Sequence, residues 1–113
     1  MSEADLGARV RAVLAGEPGI SERRMFGGLA FLVDGNMAVA DSGQDGLMVR
    51  IDPADATRLL ERPGAQRMEM RGRPLRGWLL VDAGALGTAR QLTGWVRIGL
   101  RYARSLPAKA GAS

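Results

Sequence analysis

The sequence contains no cysteine and no histidine. The first absence excludes disulfides, cysteine nucleophiles and thiolate zinc sites, and it is typical of proteins from a reducing cytoplasm. The second removes the usual general base near neutral pH and the commonest metal ligand. We therefore expect no catalytic residues, no metal site and no cofactor, and we interpret the chain as a non-enzymatic protein.

Signals for secretion and membrane insertion are also missing. The N-terminal residues show no basic segment followed by an apolar one, as a signal peptide requires. No apolar run approaches the ~20 residues of a membrane helix. We therefore expect a cytoplasmic protein that makes no membrane contact.

Lysine is nearly absent, because Lys109 is the one lysine among 16 basic residues, yet the formal net charge is +4. This balance suits an anionic partner such as nucleic acid, and equally suits ordinary surface pairing. With 46% hydrophobic and 25% charged residues, the chain has the composition of a globular protein. We expect a single domain at residues 1–108 and a disordered tail at 109–113.

The stretch from Arg24 to Ile51 is predicted to form the antiparallel strands around which the fold is organised. Asp34-Gly35, a pair that type I′ turns prefer, separates two apolar runs. Strand alternation then predicts one face with Leu29, Phe31, Val33, Ala38 and Ala40. It predicts an opposite face with Ala30, Leu32, Met37 and Val39. A third strand is expected at Leu47–Ile51, and Gly27-Gly28 indicates a bulge or a close backbone approach.

The flanking segments predict three helices and two more strands. The helices are expected from about Ser2 to Ala15, after Asp52-Pro53, and from roughly Thr88 to Leu106. Glu17–Glu22 is predicted to be a loop, after which Arg23–Phe26 is predicted to enter the sheet as a strand. The strands are expected at Arg67–Arg71, with Met68 and Met70 inward, and at Leu75–Val81, joined by a turn at Gly72–Pro74. This order predicts a two-layer α+β fold, α-β(3)-α-β(2)-α, with helices packed on an antiparallel sheet of about five strands.

Several predicted strands carry apolar residues on both faces, which is unusual for an open antiparallel sheet. Leu32 and Met37 oppose the Phe31 face, and Leu79 opposes Trp78. The second face should therefore be covered by the long C-terminal helix or by another subunit. We accordingly expect a homodimer, with a regulatory protein as a further partner.

The last predicted helix carries a face of arginines. At ~100° per residue, a ~60° sector opposite its apolar face contains Arg90, Arg97, Arg101 and Arg104. Such a sector is typical of a solvated helix face, and it also suits contact with a protein or with nucleic acid. A nucleic-acid-associated transcription regulator that uses these four arginines, helped by Arg71, Arg73 and Arg76, is therefore the alternative function.

Three carboxylates resemble catalytic groups but have simpler explanations. Helix capping and the helix dipole account for Asp52 and Asp55. Glu69, which lies between two methionines, is explained as a solvent-facing residue paired with Arg67 or Arg71. An acid–arginine site formed by Glu69 is the form that an enzyme would take here.

An ordered series of short motifs resembles the TfoX N-terminal domain family, which is named for the Sxy/TfoX competence regulators. The resemblance covers about residues 5–108. It is carried by Arg24–Gly28, Phe31, Asp34-Gly35, Met37, Leu47–Arg50, Asp52-Pro53, Met68–Met70, Gly72–Pro74, Gly77-Trp78, Trp95-Val96 and Tyr102–Pro107. It implies a two-layer, secretion-chaperone-like topology and a regulatory, protein-binding role, and the family supplies no catalytic residues. Full-length competence regulators also carry a helical domain that resembles helix-hairpin-helix DNA binders, and we expect none here.

Overall fold

The chain folds as one antiparallel sheet of six strands with three helices on it. The structure, a computed structural model, describes residues 6–25, 28–42 and 46–108. In chain order the elements are α1 (Leu6–Leu14), β1 (Ile20–Met25), β2 (Gly28–Val33), β3 (Asn36–Asp41), β4 (Leu47–Arg50), α2 (Ala56–Leu59), β5 (Ala65–Met70), β6 (Arg73–Val81) and α3 (Ala89–Ser105). Short 3₁₀ turns precede α2 and α3. The strand order is β1-β2-β3-β4-β6-β5, which confirms the predicted α+β class.

Local capping signals fix where the later helices begin. Asp52 accepts a hydrogen bond from the Ala54 backbone N–H at 3.0 Å, and Pro53 follows it, as predicted. At α3, Thr88 Oγ1 accepts from the Gln91 N–H at 3.1 Å while Gln91 Oε1 accepts from the Thr88 N–H at 2.9 Å. This reciprocal pair satisfies two N–H groups that the helix leaves unpaired. Across the part of the chain that the structure describes, no helix is long and apolar enough to cross a membrane.

The main core lies between the helices and one face of the sheet. From α1 it takes Val10 and Leu14, which follow the apolar stripe predicted for that helix. From the sheet and α3 it takes Phe31, Val33, Val39, Leu47, Val49, Leu79, Val81, Leu92, Trp95, Val96, Leu100 and Ala103. Leu59 of α2 joins the same cluster, so all three helices contribute to it.

The strand β1 is an element that the sequence pattern did not predict in full. Its residues from Ser21 to Arg24 are exposed, because β1 forms one edge of the sheet. It therefore lacks the apolar alternation that indicates a strand, although Ile20 to Met25 pair in register with β2. The prediction of a loop over Glu17–Glu22 is therefore wrong from Ile20 onward, where β1 begins. Gly28 pairs regularly with Met25 at the start of β2 and is no bulge, while Gly27 lies outside the described residues.

A bulge in β3 reverses two of the predicted faces. Phe31 pairs with Val39, but the next residue of β2 pairs with Met37, so Ala38 is an extra residue in β3. Val39 therefore lies on the helix-covered face and Ala40 on the opposite one. The predictions for these two residues are wrong, because one inserted residue shifts strand alternation by one position.

The hairpin between β5 and β6 turns earlier than predicted. Arg71 and Gly72 form the turn with φ values of 56° and 78°, so Arg73 and Pro74 already belong to β6. Met68 is half-buried, as predicted, but Met70 is 41% exposed rather than inward. The pairing of β4 with β6 ends at Trp78, so the hairpin tip extends past the neighbouring strand and leaves Met70 uncovered.

Candidate interaction surface

The sheet face opposite the helices, called the open face below, is covered by no element among the described residues. All three helices pack on the other face, so the first predicted alternative, coverage by α3, is wrong, and coverage by another subunit stays a prediction. The reason is that α3 has one broad apolar stripe, which is already buried against β2, β3 and β4. The open face has its own apolar cluster, which comprises Met25, Ala30, Leu32, Met37, Ala40, Met48, Met68, Trp78 and Leu80.

The strand registers arrange the open face as two rows that run across all six strands. The first row contains Arg23, Ala30, Ala40, Met48, Leu80 and Gln66. The second row joins two registered sets, Ser21-Leu32-Met37 and Arg50-Trp78, which the hydrogen bond from Arg50 to the Met37 carbonyl connects, and Met68 belongs to the same apolar cluster. Five interstrand spacings of ~4.8 Å give each row a length of about 24 Å. The face is therefore a long, mostly apolar band with Arg23 and Ser21 at one end, Gln66 and Met68 at the other, and Arg50 inside it.

This band combines a buried layer with partly exposed side chains, and Leu32 and Met48 belong to the buried layer at 6% and 1% exposure. Ala30 and Ala40 are fully buried because larger neighbours shield them. The larger Met37, Trp78 and Leu80 are half-buried and present apolar atoms to solvent. A contiguous apolar surface of this kind, bordered by polar residues, is typical of a contact site.

Arg50 places a positive charge inside the second row. Its Nη1 donates to the Met37 carbonyl oxygen at 3.4 Å. Its guanidinium carbon lies 6.0 Å from the ring centre of Trp78 and 5.9 Å from that of Tyr102. Two aromatic rings thus hold the cation within the second row through cation–π attraction. Arg50 forms no ion pair within the described parts of the chain.

Neither row contains an aspartate or a glutamate, and Arg23 and Arg50 are the ionised residues of the two rows. One carboxylate borders the first row, since Asp82 accepts a hydrogen bond from Gln66 Nε2 at 2.6 Å. The β1 carboxylate, Glu22, points to the other side of the sheet, where it accepts hydrogen bonds from Arg11 of α1 at 2.7 and 2.9 Å. These bonds outweigh a small opposing effect of burial and lower the pKa of Glu22. The two sides of the sheet therefore differ in charge as well as in coverage.

The four arginines predicted as contact residues lie exposed on the outer surface of α3, away from the open face. Arg104 is engaged within the chain, since it pairs with Glu17 at 3.1 Å and donates to the Pro18 carbonyl oxygen at 2.9 Å. Arg101 borders a cleft of about 300 Å³ between α2 and α3. For Arg90 and Arg97, no hydrogen bond or ion pair occurs within the described ranges.

The cleft beside Arg101 contains both signs of charge. Asp55 pairs with Arg58 at 3.3 Å, and Asp52 caps the turn before α2. Arg62 lies over the Trp95 ring, with 5.4 Å between the guanidinium carbon and the ring centre. The carboxylates and one arginine therefore have structural roles in this cleft, as the sequence predicts for the aspartates.

The remaining candidate carboxylate has no partner of the predicted kind. Glu69 is exposed on β5, but it forms no ion pair with Arg67 or Arg71. The residues that the structure describes also hold no group of three or more acidic, cysteine or histidine side chains placed to bind a metal ion.

Arg23 and Arg50 were not predicted from the sequence as residues of an interaction surface. A signal existed for Arg50, which follows Met48 by two residues and so shares its face by strand alternation. The signal for Arg23 was hidden, because the predicted strand began at that residue and gave no register with the next strand. Both assignments need the strand pairing that the structure supplies.

The matched family agrees with the observed fold. A model of the TfoX N-terminal domain matches residues 12–103, which is most of the 113-residue chain. The match begins within α1, includes all six strands and ends near the close of α3. No curated protein matches the chain. The family match confirms the resemblance carried by the sequence motifs, and the chain belongs to the TfoX N-terminal domain family.

Proposed function

We propose that this competence-regulator-like domain is a non-enzymatic protein-interaction module with a regulatory role, and that its contact surface is the open face. The observation that carries the proposal is the pair of residue rows on that face. They present half-buried Met37, Trp78 and Leu80 to solvent with no element of the described chain above them. Burial of such side chains stabilises a complex by about 25 cal/mol for each Å² removed from water.

The methionines of the open face favour the binding of a protein segment. Met37 and Met68 are flexible and polarizable, so they can fill the gaps of an irregular partner surface. Trp78 adds a large, rigid ring of the kind that often dominates binding energy at interfaces. The face therefore combines an aromatic anchor with adaptable surroundings.

The experiment that tests this proposal is a selection of binding peptides on the whole chain, followed by comparison of two variants. Leu80→Glu places a charge within the first row of the open face, whereas Arg97→Glu changes an exposed residue of α3. We expect the selected peptides to lose at least tenfold in affinity for Leu80→Glu and to keep their affinity for Arg97→Glu.

A second open-face variant guards against misfolding. Met68 is half-buried near the sheet edge. Met68→Glu should therefore show the same loss of peptide affinity while it retains the circular dichroism spectrum of the wild type. Peptides that bind both open-face variants as well as the wild type would contradict the proposal. A selection that yields no binding peptide would contradict it too.

The homodimer expected from the sequence stays a prediction, and the same variants test it. If the homodimer forms, light scattering gives twice the 12.0 kDa of the chain for the wild type and for Arg97→Glu. Leu80→Glu should return the mass of one chain if the open face forms the dimer. A wild type that is already monomeric would contradict the homodimer but would leave the open face available to other proteins.

Nucleic-acid binding by α3 is a second candidate function, favoured by the exposure of Arg90, Arg97 and Arg101 on one helix surface. Contacts from these residues to phosphates would make the affinity fall steeply with salt. We would measure the binding of a labelled DNA duplex and a labelled single strand at low salt. The wild type would be compared with a variant in which Arg90, Arg97 and Arg101 are all replaced by alanine. Loss of binding in the variant would support this function, and no binding by the wild type would contradict it.

A further inference from the structure

We infer that the open face binds an amphipathic helix of another protein, one that carries carboxylates beside its apolar stripe. The inference rests on the proposed function, because it specifies the occupant of the same surface. It depends on the two residue rows and on the charges that interrupt them.

The charges of the open face favour an acidic partner over a second copy of the chain. The ionised residues of its two rows are Arg23 and Arg50, and neither has a carboxylate partner within the described ranges. Two open faces packed together would bring four arginines into one interface without an offsetting acid from either row. Like charges across an interface cost free energy, whereas a partner with carboxylates at these positions gains complementarity.

The positions of the two arginines indicate where the carboxylates would lie. Arg23 lies on the edge strand β1 in the first row, and Arg50 lies on β4 in the second row. Arg50 is held between Trp78 and Tyr102, so its guanidinium is already oriented before a partner binds. A carboxylate that approaches Arg50 would therefore meet a fixed donor beside an aromatic surface, which reduces the entropy lost on binding.

The dimensions of the rows suit one helix. The rows are about 24 Å long, and two residues along a strand separate them by ~7 Å. A helix about 10 Å wide would therefore touch both rows, and about 16 residues at 1.5 Å each would match their length. The graded exposure of the methionines would let the apolar stripe of such a helix settle into the band.

The test uses two synthetic peptides of about 16 residues with the same leucine stripe. One carries glutamates beside the stripe and the other carries lysines at the same positions. Anisotropy of the labelled peptides would measure their affinity for the whole chain at low salt and at ~0.5 M salt, where charge effects are strongly screened. We expect the glutamate peptide to bind about tenfold more tightly at low salt and the ratio to approach one at high salt.

Two charge-reversal variants complete the test. Arg23→Glu should remove most of the preference for the glutamate peptide, because this exposed residue lies at the end of the first row. Arg90→Glu makes the same charge change on the outer surface of α3 and should leave the preference unchanged. Arg23 suits this purpose better than Arg50, which contacts two aromatic rings.

Several outcomes would overturn the inference. One is equal or tighter binding of the lysine peptide at low salt. If that binding still disappears in Leu80→Glu, the proposed function survives while the acidic partner is rejected. Another is a wild type that forms a dimer together with a Leu80→Glu variant that is a monomer, because a second copy of the chain would then occupy the open face. Absence of binding by both peptides would reject the helical partner as well.

Discussion

Gly99 of α3 lies directly against the carbonyl oxygen of Ala38, the bulge residue of β3. A Cβ atom on Gly99 would overlap that oxygen and would lie 2.8 Å from Val39 Cγ1. The close approach allows α3 to cover the helix face of the sheet at the point where β3 carries its extra residue. The glycine and the bulge therefore form one packing arrangement.

We predict that Gly99→Ala lowers the free energy of unfolding by about 1–3 kcal/mol, because the new methyl group must displace either the helix or the bulge. Gly94→Ala is the matched control, since no atom lies within 4 Å of the Cβ it would add. That change should raise the free energy of unfolding by about 0.5–1 kcal/mol through helix propensity. Urea denaturation measures both values, and equal effects of the two substitutions would contradict the packing argument.

The two tryptophans should respond differently to a quencher. Trp95 is 4% exposed in the main core, whereas Trp78 is half-buried on the open face. We expect acrylamide to quench the wild type in two components and to quench Trp78→Phe only weakly, because Trp95 alone then emits. If Trp78→Phe were quenched as readily as the wild type, the assignment of the two faces would be wrong.

The Glu22–Arg11 pair should contribute stability only above acidic pH. The hydrogen bonds from Arg11 hold the pKa of Glu22 below its usual value, so the folded state binds the proton less tightly than the unfolded state. The contribution is therefore present above the unfolded pKa and is lost as the pH falls through the lower folded pKa. We predict that Glu22→Gln costs less than ~1 kcal/mol at neutral pH, as for other exposed pairs.

The difference between Glu22→Gln and the wild type should shrink as the pH falls below about 4, and added salt should reduce it at neutral pH. Glu61→Gln is the control, because Glu61 is exposed and forms no ion pair within the described part of the chain. A pH dependence shared by both variants would show that the pair is not its source.

The cap role of Asp52 predicts a difference between two substitutions. Asp52→Ala removes the oxygen that accepts from the Ala54 N–H and should cost about 1 kcal/mol. Asp52→Asn keeps an acceptor oxygen and should cost only a few tenths of a kcal/mol. Thermal unfolding measures both values, and equal losses would show that the charge of Asp52 and not its cap bond stabilises this segment.

Local sequence patterns predicted much of the fold because each depends on neighbouring residues. The Asp34-Gly35 turn, the cap before α2 and the apolar stripe of α3 all lie where the sequence places them. The faces of β2 were also predicted correctly, since Phe31 and Leu32 alternate without interruption. Such features need no knowledge of distant contacts.

The failures arise where distant contacts decide the outcome. The bulge at Ala38 accompanies the close approach of Gly99, 61 positions later in the chain, and strand alternation carries no trace of it. The exposed β1 becomes a strand only because β2 pairs with it. Apolar residues on both faces of the strands predicted that the second face is covered. Which face the helices cover, however, depends on how α1 and α3 pack together.

The charged residues of the two edge strands also determine how the protein behaves at high concentration. The edge β1 exposes Glu22, Arg23 and Arg24, and the edge β5 exposes Arg67 and Glu69. An added strand from another molecule would have to desolvate these groups and align them against its own charges, which discourages extension of the sheet into aggregates. The charged edge strands therefore limit aggregation, and Arg23 of β1 also takes part in the recognition proposed for the open face.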